Sequence, residues 1–328
     1  MKFTGKHYLA LGMVVLAAIL VAGCTQPQTL PVTPTPSTTT AAATPAPVVH
    51  SPNALIIATT TSLYDTGLWN AIETYYENKT GIDLRITSQG TGQSIQVATR
   101  GDCDLLAVHS PSQEKAFIDA GLGINQRCFS YNYFLIVGPP NDPAAIGGLS
   151  PEKAFTKIRL LGMNNTPNIK FISRGDNSGT HSAEQNIWKA AGYNYTRDVV
   201  NSGPWYVSVG KGMGETLTVA GQTGGYTLTD EGTFLAFKTQ LNLAPLVTQG
   251  TTLLNRYSVI AVNPAKNPTV NIVEADRFTN WLISDEGKQF VGSYGVEKYG
   301  KSLFTPLTEN VCGGAPFNCA CTGDVSPA

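Results

Sequence analysis

Residues 54–62, A-L-I-I-A-T-T-T-S, contain the pattern that decides the fold of this chain. The five apolar residues at 54–58 are typical of a strand buried on both faces, and a hydroxyl-rich end follows at once. Apolar side chains from Leu68 to Tyr76 then recur at helical spacing, until Gly81 ends the pattern. A buried strand followed by an amphipathic helix is the repeating unit of an α/β fold.

The same alternation of strand and helix continues along the chain. Strands are predicted at 83–87, 105–108, 129–137, 170–173, 225–228 and 257–262. Helices are predicted at 94–100, 180–191, 230–237, 272–283 and 286–292, with further helix starts at Ser110 and Ser150, each followed by proline. The alternation predicts an α/β fold with a largely parallel sheet. Two lobes fit the length, with chain crossings near 138–143 and 238–248, so that one lobe is discontinuous in sequence.

The composition indicates a globular protein that does not bind nucleic acid. The chain has 328 residues, of which 42% are hydrophobic and 14% charged, and its formal net charge is −1. Nucleic-acid-binding domains carry a basic excess, which is absent from this sequence. The length suffices for one large domain or two ordinary ones.

The first 53 residues have the pattern of an export signal followed by a tether. Lys2 and Lys6 precede an apolar run that is too short for a membrane span and ends in V-A-G-C, with the cysteine at Cys24. We interpret 1–23 as a signal peptide, Cys24 as a lipid-attachment site, and 24–53, rich in Thr, Pro and Ala, as a linker. The alternatives are an uncleaved anchor helix, or an ordinary cleavage site with an incidental cysteine.

Five further cysteines give an odd number, so at least one is unpaired or pairs with another chain. Cys103 and Cys128 lie at the heads of two predicted strands, and we expect a disulfide between them. The other three, in a tail at 310–328, are Cys312, Cys319 and Cys321. Because no histidine lies near them, a local disulfide or a disordered tail is favoured over a metal site.

Three predicted strands end in clusters of hydroxyl and glycine residues. The clusters are T-T-T-S at 59–62, S-Q-G-T-G at 88–92 and S-R-G-D-N-S-G-T-H at 173–181. In α/β sheets, ligands bind beyond the carboxyl ends of strands, where the free N–H groups at helix starts attract anions. Arg174 adds a planar cation that suits an oxyanion. Each cluster alone is explained by helix capping, but the three together predict an anion-binding site.

A catalytic interpretation of residues 173–181 has less support. Asp176, Ser178 and His181 lie too close in sequence to act as orienting acid, nucleophile and base, and the chain has no G-x-S-x-G motif. His109 is a lone histidine after a strand, which we interpret as structural. We therefore expect a binding protein and no enzyme, with a secreted hydrolase as the alternative from another class.

Six motifs spread over about residues 54–308 resemble those of the tungstate-binding proteins of ABC importers, which are related to molybdate- and phosphate-binding proteins. The motifs are T-T-T-S (59–62), G-T-G-Q (90–93), G-D-x-D-L-L-x-V-H (101–109), S-R-G-D-x-S-G-T-H (173–181), W-Y-x-S-x-G-x-G-M-G-x-T-L (205–217) and Y-T-L-T-D-x-G-T-F (226–234). The resemblance implies a two-lobed, type II periplasmic-binding-protein-like fold whose lobes, joined by a hinge, close on a dehydrated oxyanion. We place lobe I at 54–138 and 245–309, and lobe II at 139–244.

The motif match also implies which residues contact the ligand. They are Thr60, Thr61, Ser62, Thr91 and Gly92 in lobe I, and Arg174, Ser178, Gly179 and Thr180 in lobe II. Secondary candidates are Thr59, Asp176, Tyr226, Thr227 and Thr229. The sequence departs from the family pattern at Cys103, at Tyr133 and in the cysteine-bearing tail.

The resemblance further implies a monomer without a cofactor, held by its lipid at the outer face of the cell membrane. It would deliver tungstate or molybdate to an ABC permease and its ATPase. A phosphate-type binder on the same fold is the alternative, because protonated phosphate favours a carboxylate acceptor such as Asp176. If Asp176 caps its own turn, the fully deprotonated tungstate and molybdate are favoured instead. These two are so alike in size and charge that only the family match puts tungstate first.

Overall fold

The computed structural model describes residues 50–326, in which strands and helices alternate. The strands are β1 Ala54–Thr60, β2 Asp83–Gln89, β3 Leu105–Val108, β4 Gly123–Gly138, β5 Phe171–Ser173, β6 Tyr206–Ser208, β7 Thr227–Asp230, β8 Ala244–Val247, β9 Leu254–Val262 and β10 Thr305–Pro306. The helices are α1 Thr61–Asp65, α2 Leu68–Thr80, α3 Thr91–Thr99, α4 Pro111–Asp119, α5 Pro151–Met163, α6 Gly179–Ala190, α7 Met213–Thr223, α8 Glu231–Phe237, α9 Ile272–Ile283, α10 Asp285–Ser293 and α11 Val296–Tyr299. A π-helical turn lies at Tyr195–Val199, and 3-10 turns lie at Lys238–Gln240 and Thr251–Leu253.

Three of the sequence predictions fall on residues that the structure does not describe. These are the signal peptide at 1–23, the lipid attachment at Cys24, and the linker at 24–53 apart from its last four residues. Within residues 50–326, no helix combines the length and the apolar character that a membrane crossing needs.

Strand β1 lies between two hydrophobic cores, which explains why its first five residues are all apolar. It pairs in parallel with β2 on one side and with β3 on the other. Leu55 and Ile57 belong to a core that contains side chains of α2, α9 and α10. Ile56 and Ala58 belong to a second core, formed with α3 and α4. Because helices cover both faces, alternation between polar and apolar residues is absent from this strand.

The sheet is mixed, so the prediction of a largely parallel sheet is wrong. Strands β3 and β4 both pair with β9, and both pairings are antiparallel. Strand β9 therefore lies between β3 and β4, which run in the same direction but never meet. The insertion of a strand from far along the chain leaves no trace in the local alternation of strands and helices, which is why the sequence pattern misses it.

Strand β4 is shared between two halves of the molecule. Up to Tyr133 it pairs with β9, and from Phe134 onward it pairs with β7 and β8. In the second half, Phe134 and Ile136 pack in a core with α5 and α6, while Leu135 and Val137 pack in another with α7 and α8. The lobe boundaries expected at 138/139 and 244/245 remain a prediction.

The predicted disulfide between Cys103 and Cys128 is wrong. Cys128 is bonded to Cys319, Cys312 is bonded to Cys321, and Cys103 is unpaired and fully buried among the described residues. Cys103 packs with Ile56, Leu106 and other apolar side chains in the core against α3 and α4. Cys128 points instead to a separate cluster that contains the tail. The two cysteines thus belong to different cores: Cys103 precedes β3, whereas Cys128 lies within β4. The local disulfide expected in the tail is confirmed.

Candidate functional site

The three hydroxyl clusters predicted from the sequence come together in the fold. The backbone N–H of Gly92, at the start of α3, donates a hydrogen bond to the carbonyl oxygen of Asn177 at 3.2 Å. The Arg174 side chain donates from Nη2 to Thr61 Oγ1, at the start of α1, at 2.9 Å. The clusters at 59–62, 88–92 and 173–181 therefore surround one point, where the helices α1, α3 and α6 begin.

Arg174 is the cation at this point, and it is only 1% exposed. Its Nη2 contacts Thr61 and Asp176, while Nε and Nη1 have no hydrogen-bond partner within residues 50–326. Buried donors in proteins almost always have a partner. Two unpaired guanidinium donors on one buried side chain are therefore the strongest indication of a ligand in the described structure.

Hydroxyl groups with the same property lie on the neighbouring helix starts. Thr91 Oγ1 on α3 and Thr180 Oγ1 on α6 are buried and lack a partner in the part of the chain that the structure describes. Thr60 Oγ1 and Ser62 Oγ lie 3.3 Å apart at the start of α1. Neither Gly90 before α3 nor Thr60 before α1 caps its helix through a side chain, so the first N–H groups there remain free of side-chain acceptors. The arrangement offers many donors, as a bound anion requires.

The remaining candidates bond mainly to the protein itself. Ser178 caps α6 by accepting from the backbone N–H of His181, and Asp176 accepts from the backbone N–H of Ser178 at 3.2 Å and from Arg174. The hydroxyl groups of Thr59, Thr227 and Thr229 contact backbone carbonyl oxygens, and that of Tyr226 donates to Asp142. These contacts support the frame around Arg174.

Gly179 permits the close approach of the two halves. A Cβ atom at this position would lie 2.6 Å from His109 Nε2, a distance that side-chain carbon atoms do not reach. The backbone at the start of α6 can therefore lie directly against His109 only because residue 179 is glycine.

Comparison with known proteins assigns the family. The model of a PBP superfamily domain matches residues 33–286. The tungstate-binding protein TupA of Peptoclostridium acidaminophilum is 39% identical over 252 residues, which are 77% of this chain and 85% of that protein. The chain belongs to the tungstate-binding-protein family of the PBP superfamily. The resemblance inferred from the six motifs is therefore confirmed.

Two solved structures of this family share the fold. The tungstate-binding protein TupA from Desulfovibrio alaskensis G20 is 40% identical, with a TM-score of 0.63 over 78% of this chain and 99% of that chain. The tungstate ABC transporter structure from Geobacter sulfurreducens is 36% identical, with a TM-score of 0.65 over 75% of this chain and 100% of that chain. The predicted α/β fold of the periplasmic-binding-protein type is thereby confirmed.

His109 takes a larger part in the PBP-family site than the sequence interpretation gave it. Its Nε2 lies 3.0 Å from Ser62 Oγ, and its Nδ1 lies 2.8 Å from Asn255 Oδ1. Asn255 is held in turn by Tyr257 and Asn132. A histidine more than 140 residues upstream of its partner gives no local sequence signal, so only the G-D-x-D-L-L-x-V-H motif pointed to it.

This Ser–His–Asn geometry has the form of a nucleophile and its base, but its acidity does not suit catalysis. Burial lowers the pKa of His109 to about 4, and the hydrogen bond with Asn255 opposes the shift only in part. A general base works best when its pKa lies near the working pH. The buried imidazole is therefore neutral at ordinary pH, and it positions the Ser62 hydroxyl.

Carboxyl groups that the sequence did not single out also surround Arg174. Burial raises the pKa of Asp65 to about 6, against the opposing effect of the Arg174 charge. Burial also raises the pKa of Asp230, which caps α8 through Thr233 and feels the same guanidinium. Because their pKa values are raised, these acids carry less negative charge near a bound anion. They therefore cancel less of the positive charge of Arg174 than two fully ionised carboxylates would.

Proposed function

We propose that this chain is the extracytoplasmic substrate-binding protein of an ABC importer and that it captures tungstate. The observation that carries the proposal is the buried Arg174 guanidinium, whose Nε and Nη1 lack partners among the described residues and which lies near the unpaired hydroxyl groups of Thr91 and Thr180 at the starts of α3 and α6. The names of the relatives support the same ligand. Such a site holds an oxyanion by hydrogen bonds and changes none of its covalent bonds, so we propose no enzymatic activity.

The position of Asp176 favours an oxyanion that carries no proton. Its Oδ1 accepts from the backbone N–H of Ser178, and its Oδ2 is paired with Arg174. The carboxylate thus caps its own turn, which is the arrangement that favours tungstate or molybdate over phosphate. A protonated phosphate would need a carboxylate that accepts from it, and Asp176 is already engaged at both oxygens, with the backbone N–H of Ser178 and with Arg174, so less of its acceptor capacity is left for such a ligand.

The number of donors is sufficient for tight binding. Hydrogen bonds to charged groups contribute about 1.5–3 kcal/mol each, and nanomolar affinity corresponds to about 12 kcal/mol. Roughly six to eight donors reach this value even after the loss of ligand freedom and the ordering of the protein. Two from Arg174 and the hydroxyls of Thr91 and Thr180 belong to such a set, and we propose that backbone N–H groups in the first turns of α1, α3 and α6 complete it.

The proposed partners follow from the role of a binding protein. A tethered binding domain cannot itself move an ion across a membrane, so we propose a permease and an ATPase as its partners. We further propose that the chain is a monomer, cleaved after residue 23 and attached by a lipid on Cys24 to the outer face of the cell membrane. Mass spectrometry of the membrane-extracted protein tests the lipid, since acylation adds a defined mass to the N-terminal cysteine.

Calorimetric titration of the domain with tungstate, molybdate, sulfate and phosphate tests the function. We expect one-to-one binding of tungstate with a Kd near the nanomolar range, and no binding of sulfate or phosphate. Binding of phosphate alone would move the protein to the phosphate-type alternative. Binding of none of the four, together with turnover of acyl or phosphate esters, would replace the proposal with the hydrolase interpretation.

The raised pKa of Asp65 predicts how tungstate affinity depends on pH. The carboxyl is neutral below its pKa of about 6 and negative above it. Because a negative Asp65 repels a dianion, affinity should fall as the pH rises through this value, by about threefold to tenfold per pH unit. Asp65→Asn should flatten this step, as measured by titration with tungstate dilute enough to remain monomeric.

The control for this experiment is Asp198→Asn. Its partner Arg197 holds the pKa of Asp198 at about 2, so this carboxyl does not titrate near neutral pH. The pH profile of the Asp198 variant should match that of the wild type. A profile unchanged in the Asp65 variant would show that another group governs the step.

A further inference from the structure

A buried carboxyl group that the site does not use lies behind the 174–178 loop. Glu184 on α6 is 2% exposed, and its carboxylate accepts from Ser173 Oγ at 2.6 Å, Tyr206 OH at 2.8 Å and Trp188 Nε1 at 3.1 Å. Burial raises its pKa to about 7, against the effect of these hydrogen bonds. The three neutral donors are the partners that an ionised carboxylate needs in the interior of a protein.

A chain of hydrogen bonds connects this carboxylate to the loop. The hydroxyl groups of Tyr206 and Tyr195 lie 2.7 Å apart, and Tyr195 OH lies 2.7 Å from His181 Nε2. On the other side of the ring, His181 Nδ1 accepts from the backbone N–H of Asn177 at 3.0 Å. Glu184 is therefore linked through three side chains to a residue of the anion-binding loop.

The direction of every hydrogen bond in this chain is determined. A backbone N–H can only donate, so His181 Nδ1 carries no proton, and burial lowers the pKa of His181 and keeps it neutral. Its single proton is then on Nε2 and is donated to Tyr195. Tyr195 in turn donates to Tyr206, and Tyr206 to Glu184.

The neighbouring groups are consistent with this direction. The amide nitrogen of Gln185 lies 3.1 Å from His181 Nε2, and because the two orientations of an amide are interchangeable, this direction requires the carbonyl oxygen of Gln185 to face the Nε2–H group. Burial raises the pKa values of Tyr195 and Tyr206, which stay protonated. The charges of Asp176 and Arg174 act on His181 with opposite signs.

The ionised form of Glu184 fixes this direction, because both of its oxygens can only accept. A protonated carboxyl must donate its hydrogen, and of its three partners Trp188 Nε1–H cannot accept it, whereas the hydroxyl groups of Ser173 and Tyr206 can. Donation to Tyr206 would reverse the chain and bring a hydrogen toward His181 Nε2. The ring would then hold its proton on Nδ1, and the hydrogen bond from Asn177 would be lost.

Asn177 is the position where such a loss affects the site. Its backbone has φ of 57°, in the left-handed region, which asparagine adopts more readily than most non-glycine residues. Its N–H is held by His181, and its carbonyl oxygen accepts from Gly92 of the other half. The hydrogen bond to His181 thus fixes the peptide that connects the Arg174 loop to the start of α3.

We propose that Glu184 is a positioning residue for the anion-binding loop, acting through Tyr206, Tyr195 and His181 to hold the backbone of Asn177. The proposal deepens the proposed function and rests on it for its effect on affinity. The hydrogen-bond chain itself is a property of the ligand-free protein and can be tested separately.

Substitution of Tyr195 by phenylalanine tests the effect on binding. Tyr195→Phe removes the acceptor of His181 Nε2–H and should weaken tungstate binding by about fivefold to twentyfold at mildly alkaline pH, as measured by calorimetry. Tyr193→Phe is the matched control, since Tyr193 packs its ring on Trp188 and Arg159, contacts that phenylalanine keeps. Equal affinities of the two variants would overturn the proposal.

Glu184→Gln separates the acceptor role of Glu184 from its charge. The amide oxygen can still accept from Tyr206 and Trp188 but cannot titrate, so affinity should stay within about twofold of the wild type at mildly alkaline pH. A much larger loss in this variant would contradict a role based on hydrogen-bond direction.

Nitrogen-15 NMR of His181 tests the chain without a ligand. In the wild type, we expect the Nε2–H tautomer at mildly alkaline pH, where Glu184 is ionised. Glu184→Gln should keep this tautomer, and Tyr195→Phe should lose it. An Nδ1–H tautomer in the wild type at alkaline pH would overturn the proposal even if tungstate binds. Failure of the wild type to bind tungstate, with the expected tautomers, would refute the proposed function alone.

Discussion

Replacement of Arg174 by alanine should weaken tungstate binding by at least about a hundredfold. The guanidinium is buried, and its Nε and Nη1 have no partner within residues 50–326. Two hydrogen bonds from a charged donor contribute about 3 kcal/mol or more, which corresponds to this factor. Calorimetric titration with tungstate measures the change directly, and competition against molybdate extends the measurable range.

Two further variants test why arginine is needed. Arg174→Lys keeps the charge but replaces the planar set of donors with a single ammonium group, so we expect a loss of about tenfold. Arg197→Ala removes an arginine whose side chain is 77% exposed and paired with Asp198, and it should leave the affinity unchanged. Wild-type affinity in Arg174→Ala would show that the ligand binds elsewhere.

Removal of the disulfide between Cys128 and Cys319 should lower the free energy of unfolding by about 5 kcal/mol. These cysteines are 191 residues apart in sequence, and a crosslink that closes so long a loop restricts the unfolded chain strongly. The double substitution to serine, followed by urea unfolding under non-reducing conditions, measures the loss. The measured loss also contains any weakening of the packing of Phe317 and Leu307 around the bond, in addition to the entropy of the unfolded chain.

The second disulfide provides the comparison. Cys312 and Cys321 are only 9 residues apart, so the same reasoning predicts a loss of about 3 kcal/mol when both are replaced by serine. The order of the two effects is the test, because both variants remove the same number of sulfur–sulfur bonds. A larger loss for the short loop would mean that native contacts of the tail, and not the entropy of the unfolded chain, govern its stability.

The sequence predicted those parts of the fold that depend on local patterns. Strand 105–108 and helix 272–283 agree with the structure residue for residue. The strand is a continuous apolar run, and the helix has apolar residues at regular helical spacing after a clear start. Helix α7 was missed although Met213, Leu217 and Ala220 recur at helical spacing, because the glycine and threonine residues between them favour a loop interpretation. Local pattern therefore predicts elements whose buried face is strongly marked.

Long-range pairings were not predictable in the same way. The place of β9 between β3 and β4, the partner of Cys128 and the contact of His109 with Asn255 all join residues far apart in sequence. No local property distinguishes Cys319 from Cys103 as the partner of Cys128; only the three-dimensional packing does. For the site, the clusters of hydroxyl groups and Asp176 were predictable, whereas the carboxyl groups of Asp65 and Asp230 near Arg174 were not.

The shared strand β4 has a mechanical consequence. Both connections between the halves run side by side, because β4 crosses at Tyr133–Phe134 while the segment between β8 and β9 crosses beside it. Beside the crossing, the ladder of hydrogen bonds to β4 stops at Val247 and resumes at Leu254, with a 3-10 turn between them. The crossing is therefore the place along β4 where a bend disturbs the fewest hydrogen bonds between strands.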